Sequence, residues 1–113
     1  MKRGVAAEAY AAEFLAARGL ALVERNYRCR GGEIDIIARD GDTLVFIEVR
    51  LRSRADFGGA AASITAAKRR RLAYAARHYL AGLGREPPCQ FDAVLLEALE
   101  PGHIEWLRNI DVA

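Results

Sequence analysis

The stretch GEIDIIARDGDTLVFIEVRL constrains this chain more than any other part of it. Two short apolar runs, Glu33–Arg39 and Leu44–Leu51, flank the turn sequence Asp-Gly-Asp-Thr. That pattern predicts an antiparallel β-hairpin. Each strand carries an acid in its apolar middle, Asp35 in the first and Glu48 in the second. Strand side chains alternate between faces, so Asp35 goes with Glu33 and Ile37, and Glu48 with Phe46 and Arg50. Residues directly opposed in an antiparallel pair point the same way. A four-residue loop, Asp40–Thr43, pairs Arg39 with Leu44 and sets Asp35 opposite Glu48. A two-residue loop, Asp40-Gly41, sets Asp35 opposite Phe46 and diagonal to Glu48. Any even loop keeps Asp35, Glu48 and Arg50 on one face, and an odd loop separates them.

The remaining elements follow from periodicity and breakers. Residues 2–18 read as a helix, with Val5, Ala9, Ala12 and Ala16 on one stripe, Phe14 and Leu15 near it, and Gly19 ending it. Leu20–Tyr27 reads as a strand, closed by Gly31-Gly32. After the hairpin comes a Gly/Ala/Ser loop over 52–63. Thr65 can cap a second helix running to about Leu80, with Leu72, Ala76, Tyr79 and Leu80 on its apolar stripe. Gln90–Glu97 is a fourth strand and Ile104–Leu107 a fifth, short one. The order αβββαβ(β) predicts an α/β fold: a mixed sheet flanked by helices.

At 113 residues the chain is expected to form one domain spanning 1–113. A domain of that size buries roughly 65% of its unfolded surface, enough to fold without staples. Of the 52% apolar residues, 22 are Ala, so the core is modest and the helices form cheaply. No apolar stretch approaches the ~20 residues of a membrane span, and no membrane partner is expected. Glu8 and Glu13 interrupt what would otherwise imitate a signal peptide at the N-terminus. Cys29 and Cys89 make neither a disulfide framework nor a metal cluster. A reduced, cytoplasmic protein is the expectation.

The net charge of +2 conceals an asymmetry. Between Arg50 and Arg77 there are eight basic residues against Asp56 alone, while the rest of the chain is net acidic. A basic segment in an acidic chain is the footprint of a polyanion site, with a solvated helix face as the plain alternative. Lys68-Arg69-Arg70-Arg71 covers a whole helical turn, so only some of its members can meet phosphates. Arg52 and Arg54, leaving the third strand, would extend the same surface. Such contacts position a nucleic acid without reading its sequence.

Two opposed carboxylates on apolar strands repel each other and need neutralising. Arg50 could do so as a structural ion pair. The other solution is a divalent cation, and hard oxygen ligands on a rigid sheet suit Mg²⁺ or Mn²⁺.

Asp35, a gap, then Glu48-Val49-Arg50 resembles the D…(D/E)xK signature of restriction-endonuclease-like nucleases, whose core also has the order αβββαβ. AEAYAAEFLAARG, GEIDIIARDGDTLVFIEVRLRS, FGGAAASITAAKRRRL and QFDAVLLE together resemble the YraN family over nearly the whole chain. The resemblance implies a restriction-endonuclease-like fold and a nucleic-acid activity likened to that of Holliday-junction resolvases. By position, Glu8 matches an acid of the first helix that can complete the metal site. Asp35 and Glu48 match the central carboxylates, Lys68 a Lys that opens the second long helix, and Phe57-Gly58 a loop motif. Arg50 departs from the usual Lys. Arg supplies charge and bidentate phosphate contacts but cannot act as a base, so a proton-shedding catalytic role would fall to Lys68.

The expectation is a Mg²⁺/Mn²⁺-dependent DNA endonuclease acting on branched or damaged DNA. Asp35 and Glu48 would hold the metal with help from Glu8. Arg50 would stabilise the transition state, and Lys68 with Arg52, Arg54, Arg69, Arg70 and Arg71 would hold the backbone. The alternatives are a nucleic-acid-binding module that has lost cleavage, and a dimeric interaction protein. A homodimer would suit a two-strand substrate and cover a sheet edge.

Overall fold

A computed structural model describes residues 3–51, 64–97 and 104–112, with side chains from residue 6 onward. Helix α1 spans Arg3–Ala17 and is followed by strands β1 (Ala21–Cys29), β2 (Gly32–Asp40) and β3 (Thr43–Leu51). Helix α2 (Ala66–Leu83) leads to β4 (Cys89–Leu96) and β5 (Ile104–Leu107). The five strands form one sheet in the order β1-β2-β3-β4-β5. The β3–β4 pair is parallel and the other three are antiparallel. This is the mixed α/β architecture that the pattern of elements predicts. No helix among the described residues is long and apolar enough to cross a membrane.

The two helices lie on opposite faces. Val45 and Ile47 of β3 pack with Ala7, Ala11, Ala12 and Leu15 of α1. Leu44 and Phe46, on the other parity, pack with Leu72, Ala75 and Ala76 of α2. The stripe of α1 therefore differs from the expected one: Ala7, Ala11, Ala12 and Leu15 are buried, whereas Ala16 is exposed. With Ala at so many positions, the local pattern does not discriminate one stripe from its neighbour. The larger residues decide, since burying Leu15 contributes about 1.5–3 kcal/mol and an Ala much less.

Helix α2 starts as expected: Thr65 Oγ1 accepts from the Lys68 amide at 3.2 Å. The helix ends at Gly84, which is left-handed at φ 75°. It also approaches β2 closely. A Cβ on Gly32 would sit 2.4 Å from the Arg71 carbonyl oxygen, so only glycine lets α2 settle there.

One buried acid ties the far side of the sheet together. Asp92 of β4 is fully buried and accepts from Trp106 Nε1, Gln90 Nε2 and the Asn109 amide, each at 2.9 Å. Arg108 lies 3.7 Å from it and bonds Asp40 of the β2–β3 turn at 2.6 Å. Asp92 thus fixes β5 and the chain beyond it against β4.

Candidate active site

The turn between β2 and β3 pairs Asp40 with Thr43 and Arg39 with Leu44. This is the register that sets Asp35 opposite Glu48. The ladder runs only as far as Ile36–Ile47, although both strands continue beyond it. In that opening the Asp35 side chain takes over the backbone's task, with Oδ2 accepting from the Val49 amide at 2.8 Å. Strand β3 stays paired with β4 through Glu48–Ala93 and Arg50–Leu95, so its acid sits on a firm support.

Asp35 and Glu48 are hydrogen-bonded through their side chains. Burial pushes the Asp35 carboxyl up to about 8, helped by that hydrogen bond and by the negative charge of Glu48. The Val49 amide pulls it back, and Glu33 adds a further upward push. Asp35 therefore holds its proton well into the neutral range.

The third acid comes from α1. Glu8 sits one turn before Ala12 of the buried stripe, which aims it at the sheet. Burial raises its carboxyl, and so do the charge of Asp35 and a hydrogen bond to it. A hydrogen bond from Asn26 and the charge of Arg25 work in the opposite direction. Helix and hairpin thus bring Glu8, Asp35 and Glu48 together.

Asn26 escaped the sequence reading. It lies in β1 between the ladder pairs Arg25–Ile36 and Tyr27–Ile34, across from Asp35. Its φ of 57° is left-handed, a conformation that Asn tolerates better than most residues. An Asn inside an otherwise strand-forming run was the signal available.

The basic wall comes from α2. Lys68 and Arg71 line a small cavity of about 100 Å³ with Glu33 and Glu48. Arg71 also pairs with Glu33 at 3.7 Å. Arg70 lines a wider groove nearby. The Arg69 guanidinium donates instead to the carbonyls of Ile64, at 2.9 Å, and Asp111, at 2.6 Å, anchoring the C-terminal segment. Arg50 shares the Glu48 face by strand alternation. Its Nε is buried and has no hydrogen-bond partner among the described residues. Arg52, Arg54 and the Phe57-Gly58 motif lie outside the described residues. Trp106 is spent on Asp92, and His78 Nδ1 is hydrogen-bonded to the Tyr27 hydroxyl at 2.5 Å.

Three carboxylates from three elements form a hard-oxygen donor set of the kind Mg²⁺ and Mn²⁺ take. As the side chains stand, no group of three or more His, Cys, Asp or Glu among the described residues has metal-holding geometry. The acids are joined by hydrogen bonds instead, which requires a shared proton. A cation and those protons are alternative ways to cancel the same repulsion.

A family model described as the uncharacterised protein family UPF0102 matches residues 7–96, a span that contains every acid of this cluster. A UPF0102 protein of Nitrosospira multiformis is 59% identical over 107 residues, covering 95% of this chain and 90% of the relative. One from Nitrosomonas europaea is likewise 59% identical over 107 residues, covering 95% and 91%. One from Cupriavidus metallidurans is 59% identical over 109 residues, covering 96% and 79%. None of these names states a substrate or a reaction.

Proposed function

The chain belongs to the UPF0102 family, and we propose that it is a Mg²⁺- or Mn²⁺-dependent endonuclease whose substrate is DNA, in particular branched or damaged DNA. The observation that carries this reading is the meeting of Glu8, Asp35 and Glu48 at the opening between β2 and β3, with Lys68 and Arg71 lining the Glu48 cavity. Asp35 and Glu48 would hold the metal, and Glu8 would complete its shell. Bound there, the cation would offset the carboxylates and the negative charge that develops on the phosphate. Lys68 and Arg71 would hold a phosphate beside Glu48, and Arg50 would stabilise the transition state from the same face. Metal-assisted phosphodiester hydrolysis needs both halves of this arrangement: carboxylates for the metal and positively charged side chains for the phosphate backbone.

Arg50 favours a second reading, a nucleic-acid-binding module that has lost cleavage. Arg cannot take up a proton from an attacking water as a neutral Lys could.

The test is cleavage of labelled single-stranded, duplex and four-way-junction DNA with Mn²⁺, for the parent, Asp35→Ala and Arg50→Lys. Cleavage by the parent that Asp35→Ala abolishes is the expected result. A silent parent beside an active Arg50→Lys variant would establish the second reading. Silence from all three on every substrate would overturn the first.

A further inference from the structure

The acids are not the only concave feature of this face. The β1–β2 turn and α2 enclose a groove of about 550 Å³, lined by Arg30, Gly31, Ala67, Arg70, Arg71 and Tyr74. A second hollow of about 430 Å³ shares Gly31 and Arg71 with it and adds Arg28 and Glu33. Arg71 and Glu33 also line the cavity that contains Glu48 and Lys68. The three hollows therefore share walls and lead from an arginine-rich surface to the acidic site.

The charge of this track is one-sided. Among the described residues, Glu33 is the single acid lining the two outer hollows. It is already engaged by Arg28 at 3.6 Å and by Arg71 at 3.7 Å. Four arginines against one acid leave the two hollows net positive, and Arg30 and Arg70, both exposed, have no carboxylate among the residues that line them. Tyr74 lines the same groove and is 47% exposed, with the Arg77 guanidinium 6.0 Å from its ring centre. Its ring lies against Gly31, where an added Cβ would meet ring carbons at ordinary contact distances of 3.4–3.7 Å; the left-handed φ of 93° is what calls for glycine there.

Guanidinium groups beside an accessible aromatic ring are the two components with which proteins hold single-stranded nucleic acid. A base inside a duplex cannot reach a side-chain ring, whereas an unpaired one can stack on it. We propose that this groove seats the unpaired strand of a nucleic acid, with phosphates on Arg30 and Arg70 and a base against Tyr74, so that the strand enters the Glu48–Lys68 cavity. The assignment rests on the hydrolytic reading above and specifies which part of a branched or damaged substrate the protein grips. Neither Arg28 nor Arg30 belongs to the basic run that charge counting singled out, because they come from the end of β1 and the turn after it. The fold brings them to α2.

The experiment is fluorescence anisotropy with a short labelled DNA strand, its RNA counterpart and the matching DNA duplex. It is run in EDTA over a series of salt concentrations. The variants are Arg30→Ala/Arg70→Ala, Tyr74→Ala and Tyr74→Phe, all at surface positions, with circular dichroism as the check on folding. The parent is expected to bind an unpaired strand, DNA or RNA, more tightly than duplex. Losing both arginines should weaken binding about tenfold or more. It should also flatten the log–log salt slope by about 1.4, at ~0.7 for each lost phosphate contact. Tyr74→Ala should weaken binding roughly tenfold, with Tyr74→Phe close to the parent. Tighter binding of duplex, variants indistinguishable from the parent, or displacement of the strand by inorganic phosphate at equal concentration would each overturn the proposal. Adding Mn²⁺ in excess over the EDTA to the same samples separates the two readings. Strand binding without cleavage would leave the groove standing and remove hydrolysis. Cleavage indifferent to the groove variants would do the reverse.

Discussion

Replacing Asp35 by Asn is expected to stabilise the protein at neutral and alkaline pH and to flatten the dependence of its stability on pH. The Asp35 carboxyl is pushed from its ordinary 3.8 to about 8, by burial first and by Glu48 next. Between those two values the folded protein holds a proton that the unfolded chain has released. The slope of unfolding free energy with pH follows the protons bound by the unfolded state minus those bound by the folded state. Here that difference is negative, so stability falls as pH rises. The contribution of this group is fully present below about pH 4 and lost by about pH 8. About 4 pH units at ~1.4 kcal/mol each set a ceiling on the order of 5 kcal/mol. Movement of the side chain toward water reduces the measured figure to about 2–5 kcal/mol. Asn at this position still offers an oxygen to the Val49 amide, and it has no proton to lose. The assay is urea unfolding followed by the fluorescence of the single tryptophan, Trp106, in EDTA from about pH 5 to pH 9. The difference between parent and variant isolates the one group. Equal slopes, or a parent that gains stability relative to the variant as pH rises, would refute the reasoning. Mg²⁺ or Mn²⁺ should restore stability to the parent at alkaline pH and do little for the variant, since the ligand form of the acid is the ionised one.

Further outcomes follow from other contacts. Gly32→Ala should cost about 1–3 kcal/mol or more by forcing α2 off the Arg71 carbonyl contact, whereas Gly82→Ala, with nothing within 4 Å, should gain about 0.5–1 kcal/mol; thermal melts compare the two. Asp92→Ala should cost about 3–5 kcal/mol by leaving the Trp106 indole, the Gln90 amide and the Asn109 backbone amide without their acceptor, and Asp92→Asn should cost less; urea titrations measure both. Arg69→Ala should cost about 1 kcal/mol through the carbonyls of Ile64 and Asp111, and it should leave the salt slope of nucleic-acid binding unchanged.

The parts of this molecule that sequence reasoning reached are those set by short-range pattern. The two acids in apolar strands, the Thr65 cap and the order of elements all follow from a few neighbouring residues. The hairpin register did not, because loops of two and four residues place the same side chains on the same face. Only the pairing of Arg39 with Leu44 separates the cases. The choice of stripe on α1 was hidden by its alanines, which are nearly interchangeable until Leu15 is seated. Arg69 and Arg70 are identical in local sequence terms. One meets a C-terminal carbonyl and the other lines a groove, a distinction made by segments distant in the chain. Asn26 and Asp92 were missed for the same reason: each draws its role from a partner on another element.

The parallel pairing of β3 with β4 also divides the molecule in time. Strands β1, β2 and β3 are joined by short turns, and their contacts close small loops. The β3–β4 ladder, by contrast, joins residues such as Leu44 and Cys89, which are separated by the whole of α2 and its flanking segments. Loops of that size close late, because their entropy must be lost before any contact repays it. Asp35 and Glu48 both lie in the part that assembles early. The nascent meander therefore has to bring two acids together before β4 supports the second of them and before α2 arrives with its cations. A proton shared between the two acids offsets their repulsion at that stage, so refolding should slow as pH rises above the ordinary carboxylate range.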